Sequence, residues 1–112
     1  MTTTTKRNNE QDRQIANTIN QQIGGKSFYM LGAKNKAFGV NEKGQVYLGF
    51  GIRGSKKANY IKVIYNEGMD EYIMEFGKIR KFEYKVVNTV EGVYCDQLNE
   101  IIEENTGLYT RL

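Results

Sequence analysis

The sequence predicts an α+β domain: an N-terminal helix, a mostly antiparallel sheet of five or six strands and a C-terminal helix, with both helices on one face of the sheet. Three observations predict it. Isoleucines recur at every fourth position near the N-terminus, apolar and polar residues alternate through the middle of the chain, and an apolar stripe returns near the C-terminus. A helix with a single apolar stripe must bury that stripe, and one sheet face can cover both helices.

The first helix is predicted from about Glu10 to Ile23. Its apolar side carries three isoleucines on an otherwise polar cylinder, at Ile15, Ile19 and Ile23. Two glycines follow at positions 24 and 25, and glycine readily takes the left-handed conformation in which helices commonly end. Residues 1–9 are polar and without periodicity, so we expect a disordered tail there and a single α+β domain over residues 10–112.

The middle of the chain alternates with a period of two and is rich in aromatic and β-branched residues. The predicted strands cover residues 27–32, 37–40, 45–53, 60–66, 71–77 and 81–90, with a break near Gly77. Short connections between them fit hairpins, because a parallel crossover needs a dozen residues or more. A meander of adjacent antiparallel strands is therefore expected.

The last helix is predicted from about Gly92 to Asn105. Its apolar side carries Leu98, Ile101 and Ile102, and Thr106-Gly107 provides the stop signal. We expect this stripe to pack beside the isoleucines of the first helix on a common sheet face.

The composition argues against catalysis, because the 112 residues include no histidine and only one cysteine, Cys95. Histidine is the side chain whose unperturbed pKa lies near neutrality, so the usual general base and the usual metal ligand are missing. Cys95 is expected to be a buried apolar residue and not a nucleophile, and the acidic residues near the C-terminus are expected to be a solvated helix face. We expect no enzyme, no catalytic residue, no metal site and no cofactor.

The segment Gly49-Phe50-Gly51-Ile52-Arg53-Gly54 matches the pattern of a dinucleotide-binding loop. That loop must open a helix whose N-terminus holds the pyrophosphate, whereas this segment leads into another predicted strand. We therefore interpret its glycines as bends or bulges of a sheet.

Basic residues are concentrated in the middle of the chain, where residues 26–85 carry a net charge of +6 while residues 86–112 carry −4. Cations beside flat aromatic surfaces on a sheet are typical of single-strand binding, through phosphate neutralisation and base stacking. The candidate nucleic-acid-binding residues are Lys34, Lys36, Arg53, Lys56, Lys57, Lys62, Tyr47 and Tyr60. The alternative is that these aromatic rings belong to the core and the lysines are solvated. A second basic run, residues 78–81, is expected to be a solvated hairpin end.

Two stretches of the chain carry a resemblance to a known family. The first is Leu31-Gly32-Ala33-Lys34-Asn35, and the second is the C-terminal part, from Glu75-Phe76-Gly77-Lys78 through Val90-Glu91-Gly92-Val93-Tyr94 to Asn105-Thr106-Gly107-Leu108-Tyr109-Thr110. Both resemble a family of small uncharacterised proteins of tailed bacteriophages and prophages. The resemblance covers residues 23–112 and brings no assigned activity. Cys95 stands where the family pattern has alanine. The resemblance implies a phage-encoded protein that acts in the cytoplasm of a bacterial host.

Two functions follow as hypotheses. The first is an accessory protein that binds DNA or RNA, as a single strand and without sequence specificity. The second is an inhibitor of a host bacterial protein or defence system, acting by protein binding or by sequestering a small signal. The first needs the basic residues on one surface with an exposed ring, whereas the second needs an uncovered apolar or acidic patch such as residues 100–104. No membrane partner is expected, since the apolar runs are far shorter than a spanning helix, and the oligomeric state stays open.

Overall fold

A computed structural model describes residues 9–110. Apart from Asn9, the first residue of the first helix, the predicted tail lies outside the described residues. The elements, in chain order, are α1 (Asn9–Ile23), α2 (Gly25–Leu31), β1 (Lys34–Val40), β2 (Val46–Gly51), β3 (Tyr60–Asn66), β4 (Glu71–Arg80), β5 (Glu83–Val93), a 3₁₀ turn (Cys95–Gln97) and α3 (Leu98–Thr106).

The five strands form one antiparallel sheet in the order β1-β2-β3-β4-β5. Each strand pairs with its neighbour in the chain, so the predicted meander is confirmed. The β1–β2 and β3–β4 turns lie at one end of this sheet, and the β2–β3 loop and the β4–β5 turn lie at the other. This alternation decides which loops can meet.

One face of the sheet carries the core. Residues alternate along each strand, so the buried side chains Leu48, Ile61, Val63, Met74 and Phe76 all point to this face. Both terminal helices pack on it, because α1 and α3 contribute to the same apolar cluster through Ile19, Ile23, Leu98 and Ile102. The predicted α+β arrangement with helices on one face is confirmed.

The predicted strand over residues 27–32 is wrong, because this segment is the helix α2. A short apolar run does not distinguish a strand from a buried helix turn by its periodicity. Phe28 and Leu31 are three residues apart and both enter the core, which is helical spacing. Gly32 ends the helix with a φ of 64°, and its backbone N–H donates to the carbonyls of Phe28 and Tyr29 in the last turn.

Several boundaries differ from the sequence prediction, and β1 begins earlier than expected, at Lys34. The strands β4 and β5 run past Gly77 without the expected break, and the register instead shifts by a bulge there. The last helix begins at Leu98, because β5 continues to Val93 and a 3₁₀ turn follows. Cys95 lies in that turn and is exposed, so the expectation that it is buried is wrong.

Within residues 9–110, no helix combines the length and the apolar character needed to cross a membrane.

Leu98→Ala is expected to lower the free energy of unfolding by about 2–5 kcal/mol, because Leu98 is 1% exposed and its removal leaves a cavity between α3 and the sheet. Denaturant unfolding of the two proteins measures the difference. Glu104→Ala, an exposed change on the same helix, is the control and is expected to stay within about 0.5 kcal/mol. A loss below about 1 kcal/mol for Leu98→Ala would contradict the packing described.

Tyr72→Phe is expected to make stability less sensitive to alkaline pH. Burial raises the pKa of the Tyr72 hydroxyl to about 12, and that hydroxyl donates a hydrogen bond to Gln22 Oε1 at 2.6 Å. The unfolded chain releases this proton near pH 10 while the fold keeps it, so the free energy of unfolding falls as pH rises from 10 toward 12. Between pH 9 and 11 the wild type should lose on the order of 1 kcal/mol more than Tyr72→Phe.

Denaturant unfolding at both pH values measures this loss. Tyr109→Phe, at an exposed tyrosine, is the control and should lose as much as the wild type. Equal alkaline losses in Tyr72→Phe and the wild type would count against the buried hydroxyl.

Candidate functional site

The second face of the sheet is uncovered within residues 9–110, because all three described helices pack on the other face. We call it the open face. The strand register places Tyr47, Tyr60 and Lys62 on it, together with Glu75 from β4 and Tyr84 from β5. These side chains are partly exposed, so the face presents rings, one cation and one carboxylate to solvent.

Each tyrosine of the open face lies across a glycine. A Cβ added to Gly39 would come within 2.7 Å of the Tyr47 hydroxyl oxygen, one added to Gly49 would overlap Tyr60, and one added to Gly77 would overlap Tyr84. These three glycines do not have positive φ values, so they are required for space and not for backbone conformation. Glycine leaves room for each ring to extend across the neighbouring strand, which restricts its orientation.

A network of polar contacts joins the rings. The Tyr60 and Tyr84 rings meet edge to face with centroids 5.6 Å apart, and the Tyr84 hydroxyl donates a hydrogen bond to Glu75 Oε2 at 2.7 Å. Lys62 Nζ lies 4.6 Å from the Tyr47 ring centroid and 4.0 Å from Glu75 Oε2. The cation therefore lies among flat rings and is partly balanced by one carboxylate.

The Tyr60 and Tyr84 hydroxyls are neutral at physiological pH. Burial raises the pKa of Tyr84, and its hydrogen bond to Glu75 raises it further. Burial also raises the pKa of Tyr60, with smaller contributions from Tyr47 and Glu75. The rings consequently carry no charge that would repel a phosphate.

Basic residues collect at one end of the sheet, which we call the basic end. They come from the start of β1, the β2–β3 loop and the two strands of the last hairpin with its turn. By register and loop position they are Lys34, Arg53, Lys56, Lys57, Lys78, Arg80, Lys81 and Lys85, eight of the thirteen basic residues described. The turns at the other end carry three acids, Glu42, Glu67 and Asp70, and one base, Lys43.

Four of these lysines line one open cleft. The cleft has a volume of about 650 Å³ and lies on the helix side of the sheet, between the last hairpin and the end of α3, where Lys56, Lys57, Lys78 and Lys85 meet Asn88 and Asn105. Ser55 holds the β2–β3 loop against α3, because its Oγ donates to the Thr106 carbonyl at 2.7 Å. The loop lysines are thus held beside the hairpin lysines.

The residues that the sequence singles out fall into separate places. The open face carries Tyr47, Tyr60 and Lys62. Lys34 lies at the basic end of this face, where it pairs with Gly51. Arg53 is exposed in the β2–β3 loop, with its backbone N–H bonded to the Leu31 carbonyl.

Lys36 lies apart from this group, on the helix side. Its Nζ donates to Asn20 Oδ1 at 3.2 Å and lies 4.2 Å from the Phe28 ring centroid. A bulge between Lys34 and Ala37 turns the two lysines to opposite faces.

The sequence analysis does not single out Tyr84, Glu75 or Lys85, and it interprets Lys78 as part of a solvated hairpin end. The signal for these residues was the alternation that continues along β4 past Gly77, where the sequence predicts a break. The glycine-rich segment 49–54 runs from strand to strand, and Gly49 and Gly51 make room for Tyr60 and Lys34. Among the residues described, no group of three or more histidine, cysteine, aspartate or glutamate side chains could hold a metal ion.

The chain matches no protein-family model, no curated protein and no solved structure. Function is therefore inferred from the contacts and charges of the chain itself.

Proposed function

We propose that this protein is a non-enzymatic accessory protein that binds single-stranded DNA or RNA without sequence specificity, through the open face and the basic end. The observation that carries the proposal is the meeting of basic residues from distant segments at one end of the sheet, the end at which Tyr60 and Tyr84 lie on the open face. Phosphates need the cations and unpaired bases need the rings.

The open face supports the part of the proposal that concerns bases. Rings packed against glycines are already ordered, so little further side-chain entropy is lost when a base stacks on them. Contacts to ring faces tolerate any base, which fits binding without sequence specificity. Lys62 is already balanced by Glu75, so its role here is to position the rings more than to neutralise phosphate.

A bacteriophage origin and action in the cytoplasm of a bacterial host are part of the same proposal. Both are supported by the resemblance of residues 23–112 to small phage proteins. An accessory protein that coats or protects single strands fits such a setting.

The second hypothesis, inhibition of a host protein or sequestration of a defence signal, needs an isolated acidic or apolar patch. Glu100 and Glu104 are exposed, but Glu104 lines the cleft that contains four lysines. Glu103 accepts two hydrogen bonds from Thr110. The acidic helix is therefore not a separate acidic surface, and the geometry favours nucleic acid.

Reversing Arg53, Lys56 and Lys57 together to glutamate is expected to weaken binding to all single-stranded sequences alike. Each lost phosphate contact should reduce the slope of log affinity against log salt by about 0.7, so three lost contacts reduce it by about 2. Fluorescence anisotropy of a labelled oligothymidylate over a series of salt concentrations measures both quantities.

The matched control reverses Arg13, Lys26 and Lys43, which are exposed and lie outside the basic end. This variant changes the net charge equally but removes no proposed phosphate contact. The salt slope should therefore fall much less. Equal effects of the two triple variants would show attraction by net charge alone. If the wild type binds neither single-stranded DNA, duplex DNA nor RNA at low salt, the proposal is wrong, and capture of partners from bacterial lysate becomes the next experiment.

A further inference from the structure

The last hairpin extends beyond the rest of the sheet. β3 begins at Tyr60, which pairs with Gly77, so residues 78–85 form a ribbon of two strands and a turn that we call the arm. At about 3.3 Å per residue, its three paired positions project roughly 10 Å past β3. Asn59 fixes the base of the arm with two hydrogen bonds to the Ile79 backbone, of 2.9 and 2.7 Å.

A phenylalanine occupies the tip of the arm. Phe82 is fully exposed, the most exposed of the large apolar side chains described. The preceding residue, Lys81, has a φ of 57°, in the left-handed region where hairpin turns ordinarily place glycine or asparagine. Phe82 buries no surface in the fold, so replacing it costs no packing, and folding gives no reason for a large apolar ring in this turn.

The charges around Phe82 indicate what it contacts. The arm carries Lys78, Arg80, Lys81 and Lys85 against one acid, Glu83, and its base adjoins the cleft lined by Lys56 and Lys57. An apolar protein surface does not select a ring surrounded by cations, whereas a polyanion with flat apolar units does. A nucleic-acid strand has both properties.

We infer that the arm is a nucleic-acid contact in which Phe82 stacks on an unpaired base while its flanking cations neutralise the adjacent phosphates. This inference rests on the proposed function and adds a contact beyond the open face. A single strand is the preferred form, because insertion into a duplex must first separate stacked base pairs. The arm also shares Tyr84 with the open face, so a bound strand can pass from one to the other.

The chain has no tryptophan, so Phe82→Trp places a single fluorescent reporter at the tip. Titration with unlabelled oligothymidylate is expected to quench this tryptophan with the same midpoint as anisotropy, and affinity should match the wild type. Phe82→Ala is expected to reduce affinity by about 5- to 100-fold, the range found for loss of one base stack. The salt slope should not change, because no phosphate contact is lost.

Tyr29 supplies the matched control, because it is 85% exposed on α2, on the helix side. Tyr29→Trp should bind without quenching, and Tyr29→Ala should bind as the wild type does. The arm contact is overturned if Phe82→Trp is not quenched and Phe82→Ala keeps full affinity. If the salt slope is then still sensitive to the Arg53, Lys56 and Lys57 reversal, the proposed function stays in place.

Absence of all binding would overturn both inferences. Stronger quenching by duplex than by single strands would overturn the preference for unpaired bases. A last outcome concerns protein partners captured from nuclease-treated bacterial lysate. If the wild type captures one and Phe82→Ala alone loses it, the tip recognises protein and the inference is overturned as well.

Discussion

Within residues 9–110, the structure depends on one constraint, which is that three helices cover only one face of a five-stranded sheet. The other face has to limit its own exposure of backbone and apolar surface. It does so with tyrosines that lie over glycines, a combination in which each ring replaces the missing side chain of a neighbouring strand. The rings are structural and partly exposed at once, so the same packing that closes the sheet creates an aromatic surface.

Antiparallel meander topology explains the separation of charge. Successive connections alternate between the two ends of the sheet. The first and third connections therefore lie at one end and the second and fourth at the other, which brings together residues that are far apart in the chain. The β1–β2 and β3–β4 turns carry three acids and one base, Lys43, whereas the β2–β3 loop and the arm carry basic residues against one acid, Glu83. The resulting potential points along the strands and favours approach of an anion at one end only.

Elements with clear periodicity could be predicted from the sequence: β3 matches its predicted range, and the isoleucine and leucine stripes do share one face. Features that depend on register could not. The bulge after Lys34 sends Lys36 to the helix side, and the continuous hairpin brings Tyr84 against Glu75. α2 was missed because a seven-residue helix has too few turns for its period to stand out from a strand.

The positions of charge and rings together give the proposed complex a direction. Lys62 is balanced by Glu75 in the middle of the open face, so the unbalanced cations lie at the basic end and on the arm. Phosphates are attracted there, while bases find ring faces at Tyr47, Tyr60 and Tyr84. A strand bound in this way has its backbone toward the arm and its bases toward the sheet. Tyr84 lies where the two regions join, with its ring against Tyr60 and its hydroxyl donating to Glu75, so its ring is a contact common to both.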